Sequence, residues 1–270
     1  MNILEAINNI VNLNDLKLKQ NFKSLNRINR VGDSFEEFIK NSFTNFKDDI
    51  EIESKVFSWL GNSNNPPDLI LKNSDAVEIK KINNFSDIAL NSSYPKDKLS
   101  SNDPMLTANC KNIDGGNWLK NFYYIIGTMD KDRIKSIFIV DGFLYSAKSE
   151  IYQKIKNKIK EGVESIEGTE FSQTRELGRV NKVDPLGITY LRIRGMWGIQ
   201  NPFNVFSYID EVQKPLESQS IIYALISENN YKNFPENSRR KIEQYSKELK
   251  IKDPNNPAQL LEAVLIKVEK

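Results

Sequence analysis

Two short runs, DLIL at 68–71 and AVEIKKI at 76–82, flank the polar tetrapeptide KNSD, and they constrain the fold more than any other stretch. Alternating, β-branched runs on either side of such a turn predict a pair of antiparallel strands. The segment GNSNNPP at 61–67 is a strong turn signal, and a further strand is predicted before it over 52–60. Strands are also predicted over 122–129, 134–140, 187–194 and 221–226. Residues 1–30 read as one or two helices. A helix that opens at Gly32 and Asp33 and runs through Phe46 places Phe35, Phe38, Ile39, Phe43 and Phe46 on an i, i+3, i+4 rhythm. Helices are predicted over 148–162, where lysines dominate, and over 236–250 and 257–267; residues 83–120 read as loops with short helices. Mixed in this order, the elements predict an α/β fold, a central mixed β-sheet flanked by helices, in a single domain over 1–270.

Composition removes whole classes of chemistry. The 270 residues contain no histidine and one cysteine, Cys110. That excludes serine–histidine and cysteine–histidine catalysis, histidine metal sites, a cysteine zinc cage and an intramolecular disulfide. Cys110 is expected to be a packing residue. Hydrolysis must then rest on carboxylates, lysines, tyrosines and a hard cation. The apolar runs are too short to span a bilayer, and the N-terminus lacks a basic leader, so no membrane association and a cytoplasmic location are expected. The net charge of +2 does not by itself announce a nucleic-acid binder. Any positive charge used on DNA must be gathered on one face.

The hairpin carries a specific set of groups. In the strand 76–82, Glu78 and Lys80 are two apart and share a face, while Val77 and Ile79 point into the core. Asp68 opens the neighbouring strand, so its carboxylate can come beside Glu78. Two carboxylates on adjacent strands suit Mg²⁺, with the Ile79 carbonyl as a further ligand. Lys80 would orient the attacking water and neutralise charge on phosphate, giving 5′-phosphate and 3′-hydroxyl ends. The same Glu and Lys also suit a solvated cross-strand pair. Glu36, favoured over Glu37, is placed by the preceding helix to join a metal directly or through water. Both acids equally complement the positive N-terminal end of that helix.

Pro67, Asp68, Glu78 and Lys80 resemble the motif of the PD-(D/E)xK nuclease superfamily, and the Gly32 to Glu36 helix resembles the acidic helix that precedes it. The blocks GDSFEEFIK (32–40), GNSNNPPDLIL (61–71), VEIKKI (77–82), ALNSSYPKDKL (89–99) and LGRVNKVDPLGITYLRIRGMWGIQNP (177–202) are similar to the NgoPII-type restriction endonucleases over most of the chain. The resemblance implies a restriction-endonuclease-like core over about 30–145 and Mg²⁺-dependent cleavage of both strands of DNA within a short palindrome. GGCC is the site typical of that family. It also implies a cognate DNA methyltransferase that protects the host. A two-fold target favours a homodimer.

A DNA-recognition region is expected over about 170–205, where Arg175, Arg179, Lys182, Arg192 and Arg194 stand against Glu176 and Asp184. Arginine reads guanine through paired bonds to O6 and N7, and Arg192 and Arg194 share a strand face. Surface ion pairing would equally account for these arginines, and core packing for Trp197. Ser93, Tyr94 and Lys96 are further candidates for phosphate or base contacts, in a segment that also reads as a plain polar loop. Two other functions fit the same residues: a structure-specific repair nuclease or junction resolvase with this core, and a non-catalytic DNA-binding domain.

Overall fold

The structure is a computed structural model that describes residues 1–18, 27–62, 65–174 and 176–270, with only the backbone of 27–33. In chain order its elements are α1 (Ile3–Val11), α2 (Arg27–Phe43), α3 (Ile50–Val56), β1 (Phe57–Asn62), β2 (Asn65–Leu71), β3 (Ala76–Ile82), β4 (Ile88–Asn91), β5 (Lys98–Ser100), α4 (Ala108–Lys111), β6 (Leu119–Asp130), β7 (Arg133–Asp141), α5 (Gly142–Tyr145) and α6 (Ser149–Glu164). There follow β8 (Glu170–Phe171), β9 (Gly178–Asn181), β10 (Leu191–Ile193), β11 (Trp197–Ile199), α7 (Pro202–Val205), β12 (Ile221–Ser227), α8 (Glu228–Asn233), α9 (Glu236–Ile242), β13 (Ser246–Asp253) and β14 (Asn256–Glu269).

Among the described residues the large sheet runs β1-β2-β3-β6-β7-β12-β14-β13, with β5 paired to β6. It is mixed: β3 and β6 are parallel, as are β7 and β12, and the other pairs are antiparallel. Alternation along the strands divides the core in two. Val77, Ile79, Tyr123, Ile125, Ile137 and Ile139 face α1 and α2, which contribute Ile3, Leu4, Ile7, Phe35, Ile39 and Phe43. Ile70, Ala76, Tyr124, Ile126, Phe138 and Val140 face the other way, against Phe203 and Phe206. The α/β class with a central mixed sheet flanked by helices is as expected. A small sheet, β10-β9-β8, and the pair β11-β4 lie off the large one. No helix among the described residues is long and apolar enough to cross a membrane.

Several elements differ from the sequence reading. The predicted strand over 52–60 is a helix, α3, before it becomes β1. The Asp49 side chain caps α3 by accepting from Glu51 N–H, and Lys55 pairs with Glu51 one turn away at 2.6 Å. The helix predicted over 236–250 is helical from Glu236 through Tyr245, as α9 and a 3-10 turn, and becomes β13 from Ser246, whereas the helix predicted over 257–267 lies within the strand β14. An Asx turn at Asp253, which accepts from Asn255 N–H, reverses the chain, and β14 then lies between β12 and β13. Its residues Ala263, Val264, Leu265 and Ile266 are all buried, because the strand is covered on both faces. The helix expected to open at Gly32 and Asp33 is already helical at Arg27 and ends at Phe43. The strand expected over 187–194 is confined to Leu191–Ile193, and 83–120 contains β4 and β5. Residues 61–67 contribute to both β1 and β2, with a cis bond between Pro66 and Pro67; residues 63 and 64 lie outside the described set.

Candidate active site

The register of β2 on β3 pairs Leu69 with Val77 and Ile70 with Ala76, and the ladder ends there. One step further, the Asp68 carboxylate accepts Ile79 N–H through Oδ2 at 2.6 Å. Within one residue of a strand N–H and C=O point the same way, so the Ile79 carbonyl is also directed toward Asp68. Glu78 and Lys80 stand on the same face of β3, with Nζ of Lys80 2.6 Å from Oε1 of Glu78 and 3.9 Å from Oδ2 of Asp68. The three groups predicted to share one place are therefore brought together there. The neighbouring turn is pinned by Asp114, which accepts from Ser58 Oγ, Asn73 N–H and Lys120 Nζ.

Electrostatics set this cluster apart. Burial raises the Asp68 carboxyl to about 7, and the adjacent charge of Glu78 pushes the same way. Lys80 and the Ile79 N–H oppose that shift, and Glu36 adds to it. For Lys80, burial disfavours the ammonium, but Glu78 and Asp68 outweigh it and hold the amine above its usual range. Glu36 acts on both groups, so α2 does bring an acid toward the cluster. Among the described residues no three acidic or cysteine side chains come close enough to hold a metal by themselves. The donor set that fits a divalent cation is Asp68, Glu78 and the Ile79 carbonyl, completed by water, as Mg²⁺ commonly requires. A carboxyl raised by burial, and then by its neighbour's charge, is also the group whose ionised form an added cation would favour.

Behind Glu78 lies a group the sequence did not single out. Tyr124 is its partner in the β3–β6 register, is buried, and accepts Lys96 N–H through its hydroxyl at 2.7 Å. Its phenol is raised well above the usual range, by burial first and with the Glu78 charge contributing. Only the parallel pairing of β3 with β6 makes Glu78 and Tyr124, which are 46 positions apart in sequence, neighbours.

The residues expected at DNA divide. Arg192 and Arg194 are exposed and both grip Glu176: Arg192 makes bonds of 2.7 and 3.0 Å, and Arg194 one of 2.5 Å. Those bonds hold the Glu176 carboxyl down at about 2. Arg179 is exposed and lies 5.1 Å from the Tyr190 ring centroid, and Lys182 pairs with Glu170 at 2.8 Å. Ser93 is half-buried. Arg175 lies outside the described residues. Tyr94 and Lys96 are not at the surface, and the expectation that they meet DNA directly needs correction: each is only 5% exposed. Lys96 is paired with Asp103 at 2.5 Å, and Tyr94 stacks on Tyr152, meets Trp197 edge-on and accepts from Gln153 through its hydroxyl. A buried lysine requires such a partner. Cys110 is buried, as a packing residue would be.

The model of the NgoPII restriction endonuclease family matches residues 1–256. The type II restriction enzyme NgoPII of Neisseria gonorrhoeae is 46% identical over 278 residues, which cover 98% of this chain and 99% of that protein. No solved structure matches the chain. By class this is an enzyme, a type II site-specific deoxyribonuclease. The chain belongs to the NgoPII restriction endonuclease family.

Proposed function

We propose that the chain cleaves both strands of DNA at a short palindrome, GGCC, in a Mg²⁺-dependent reaction that leaves 5′-phosphate and 3′-hydroxyl ends. The observation that carries this reading is the convergence of Asp68, Glu78 and Lys80, with Lys80 2.6 Å from one carboxylate and 3.9 Å from the other. Asp68, Glu78 and the Ile79 carbonyl would hold Mg²⁺, and Glu36 would reach it through water. When bound, the ion lowers the pKa of water and neutralises charge building on the scissile phosphate. Lys80 orients the attacking water and donates to a phosphate oxygen as the bond to O3′ breaks, and the proton lost by the water ends in bulk solvent or on O3′.

The whole chain acts as one domain with a restriction-endonuclease (PD-(D/E)xK) core over about 30–145 and a recognition region over about 170–205. Arg192 and Arg194 are the base-reading candidates, and Arg179, Lys182 and Ser93 hold the backbone. The protein works as a homodimer whose two-fold axis matches that of the site. It resides in the cytoplasm beside a methyltransferase that modifies the same sequence. The family match supports the reaction class, and the acid–acid–lysine cluster supports its chemistry. The test is digestion of DNA of known sequence with Mg²⁺ and with EDTA, followed by end mapping. Discrete bands with 5′-phosphate ends at GGCC support the reading. Cleavage at branched structures regardless of sequence would favour a junction-cutting enzyme.

A further inference from the structure

Between β9 and β10 the chain projects as a loop, 182–190, whose tip exposes aliphatic side chains. Leu186 is 83% exposed and Ile188 73%, and Val183 and Tyr190 beside them are also open to solvent. The loop is nevertheless held firmly. Asp184 accepts from Leu186 N–H at 3.0 Å, Ile188 N–H at 3.3 Å, Thr189 N–H at 2.6 Å and the Thr189 hydroxyl at 2.6 Å. Val183 N–H donates to the Thr189 carbonyl, and Gly187 N–H to the Asp184 carbonyl. Gly187 sits at φ +68°, where a Cβ would meet Lys182 Cγ at 3.0 Å, so the turn suits glycine. These main-chain donors are spent inside the loop. What the tip offers outward is apolar, on a frame whose ordering cost is already met before binding.

The surroundings indicate what covers it. The ribbon below the tip carries Arg179, Arg192 and Arg194, and Lys182, which is paired with Glu170. Arg192 and Arg194 share one carboxylate, Glu176, so that acid leaves a positive charge over. Asp184 stays ionised, its carboxylate turned inward onto its four donors, so the four cations of the ribbon outnumber Glu170, Glu176 and Asp184 by one. Cations on the strands with aliphatic groups at the tip complement a polyanion that has an apolar interior. Duplex DNA is such a partner, with phosphates at its rim and a base stack within. A second copy of this chain would instead set two like-charged ribbons together.

We propose that Leu186 and Ile188 form an apolar wedge that enters a groove of bound DNA and parts a base step, bending the duplex around the enzyme. This rests on the DNA-cleaving reading above. A two-stranded ribbon has the width to enter a groove, and aliphatic side chains inserted at a step offset the loss of stacking by wrapping more protein surface.

The test is the double variant Leu186→Ser/Ile188→Ser, with both side chains exposed enough for the fold to be unaffected. The probe is a duplex that the wild-type enzyme cuts, carrying 2-aminopurine at successive positions across and beside the site, bound without metal. The wild type should raise fluorescence at one step, and the variant should abolish that rise and bind roughly tenfold more weakly. Equal affinity and an equal signal from the variant overturn the wedge. So does a variant that sediments as a monomer where the wild type is a dimer, which would assign the tip to pairing of copies. If the wild type neither binds nor cuts DNA with Mg²⁺, the DNA reading falls and the wedge with it. If the wild type cuts and the variant matches it, the wedge alone falls.

Discussion

Asp68 accepts the main-chain N–H of Ile79 at 2.6 Å, one step beyond the last ladder pair between β2 and β3. A carboxylate thus continues the pairing that the two backbones have given up. This holds Asp68 beside Glu78, at an electrostatic cost that Lys80 offsets only in part. Folding raises the Asp68 carboxyl from 3.8 to about 7, by burial first and by Glu78 second. The folded protein then keeps a proton that the unfolded chain has released, so stability falls as pH rises from about 4 to about 7. Asp68→Asn removes that penalty and keeps the acceptor for Ile79. In EDTA at pH 8 the variant should be more stable by about 1–2 kcal/mol, or roughly 2–5 °C in Tm, with the two proteins converging near pH 4. It should not cleave DNA. Thermal scans at both pH values check the first outcome and a plasmid digest the second.

The fork of Arg192 and Arg194 on Glu176 makes a second prediction. If Arg194 reads guanine, Arg194→Ala should weaken binding to the cognate site roughly ten- to a hundredfold and relax one base position. A uniform loss on all sequences would mark a phosphate contact instead. Glu176→Ala frees both guanidinium groups, so it should strengthen non-specific binding and steepen its salt dependence. Titrations of cognate and random duplexes at several salt concentrations separate these cases.

Gly127 on β6 lies beneath the Phe35 ring of α2, and a Cβ built there would fall 2.2 Å from the ring. Gly127→Ala should therefore cost about 1–3 kcal/mol by overpacking, read in urea unfolding. The strain falls on the helix that carries Glu36, so cleavage should slow beyond what partial unfolding explains. Activity measured well below the unfolding transition checks this.

Asp141 is buried at the end of β7 and accepts from Phe143 N–H, Ser227 N–H, the Ser227 hydroxyl and Asn230 Nδ2. It thereby joins the starts of α5 and α8 to the sheet. Asp141→Ala leaves those donors unmet and should cost about 3–5 kcal/mol. Asp141→Asn, which retains an acceptor oxygen, should cost less. Chemical denaturation of the two variants tests the order.

The parts of the fold visible in the sequence were those set by local pattern. The run AVEIKKI alternates with period two and meets a polar turn, and β3 has the bounds that pattern implies. The strands β6, β7 and β12 were legible for the same reason, each an apolar run near a turn. What was hidden depended on distant partners. Residues 50–56 alternate Ile and Glu like a strand, but a capping Asp49 and the Glu51–Lys55 pair are satisfied only by a helix. The segment 260–268 mixes the helix formers Leu260, Leu261, Glu262, Ala263, Leu265 and Lys267 with the β-branched Val264, Ile266 and Val268, and pairing with β12 and β13 on either side makes it an interior strand. At the site, the grouping of Glu78 and Lys80 follows from strand parity, and that of Asp68 with them from the local β2–β3 hairpin. Tyr124 behind Glu78 does not, because it arrives through a parallel crossover. Lys96 and Tyr94 were misplaced because residue type says nothing of burial when a partner such as Asp103 is supplied from elsewhere.

The most direct test of the proposed metal site is affinity cleavage of the protein itself. With Fe²⁺ in place of Mg²⁺, plus ascorbate and peroxide, hydroxyl radicals cut the main chain beside the bound ion. The account predicts fragments broken near Asp68 and near Glu78 and Ile79, suppressed by excess Mg²⁺ and lost in Asp68→Ala. Breaks confined to other segments, or an unchanged pattern in Asp68→Ala, would contradict it.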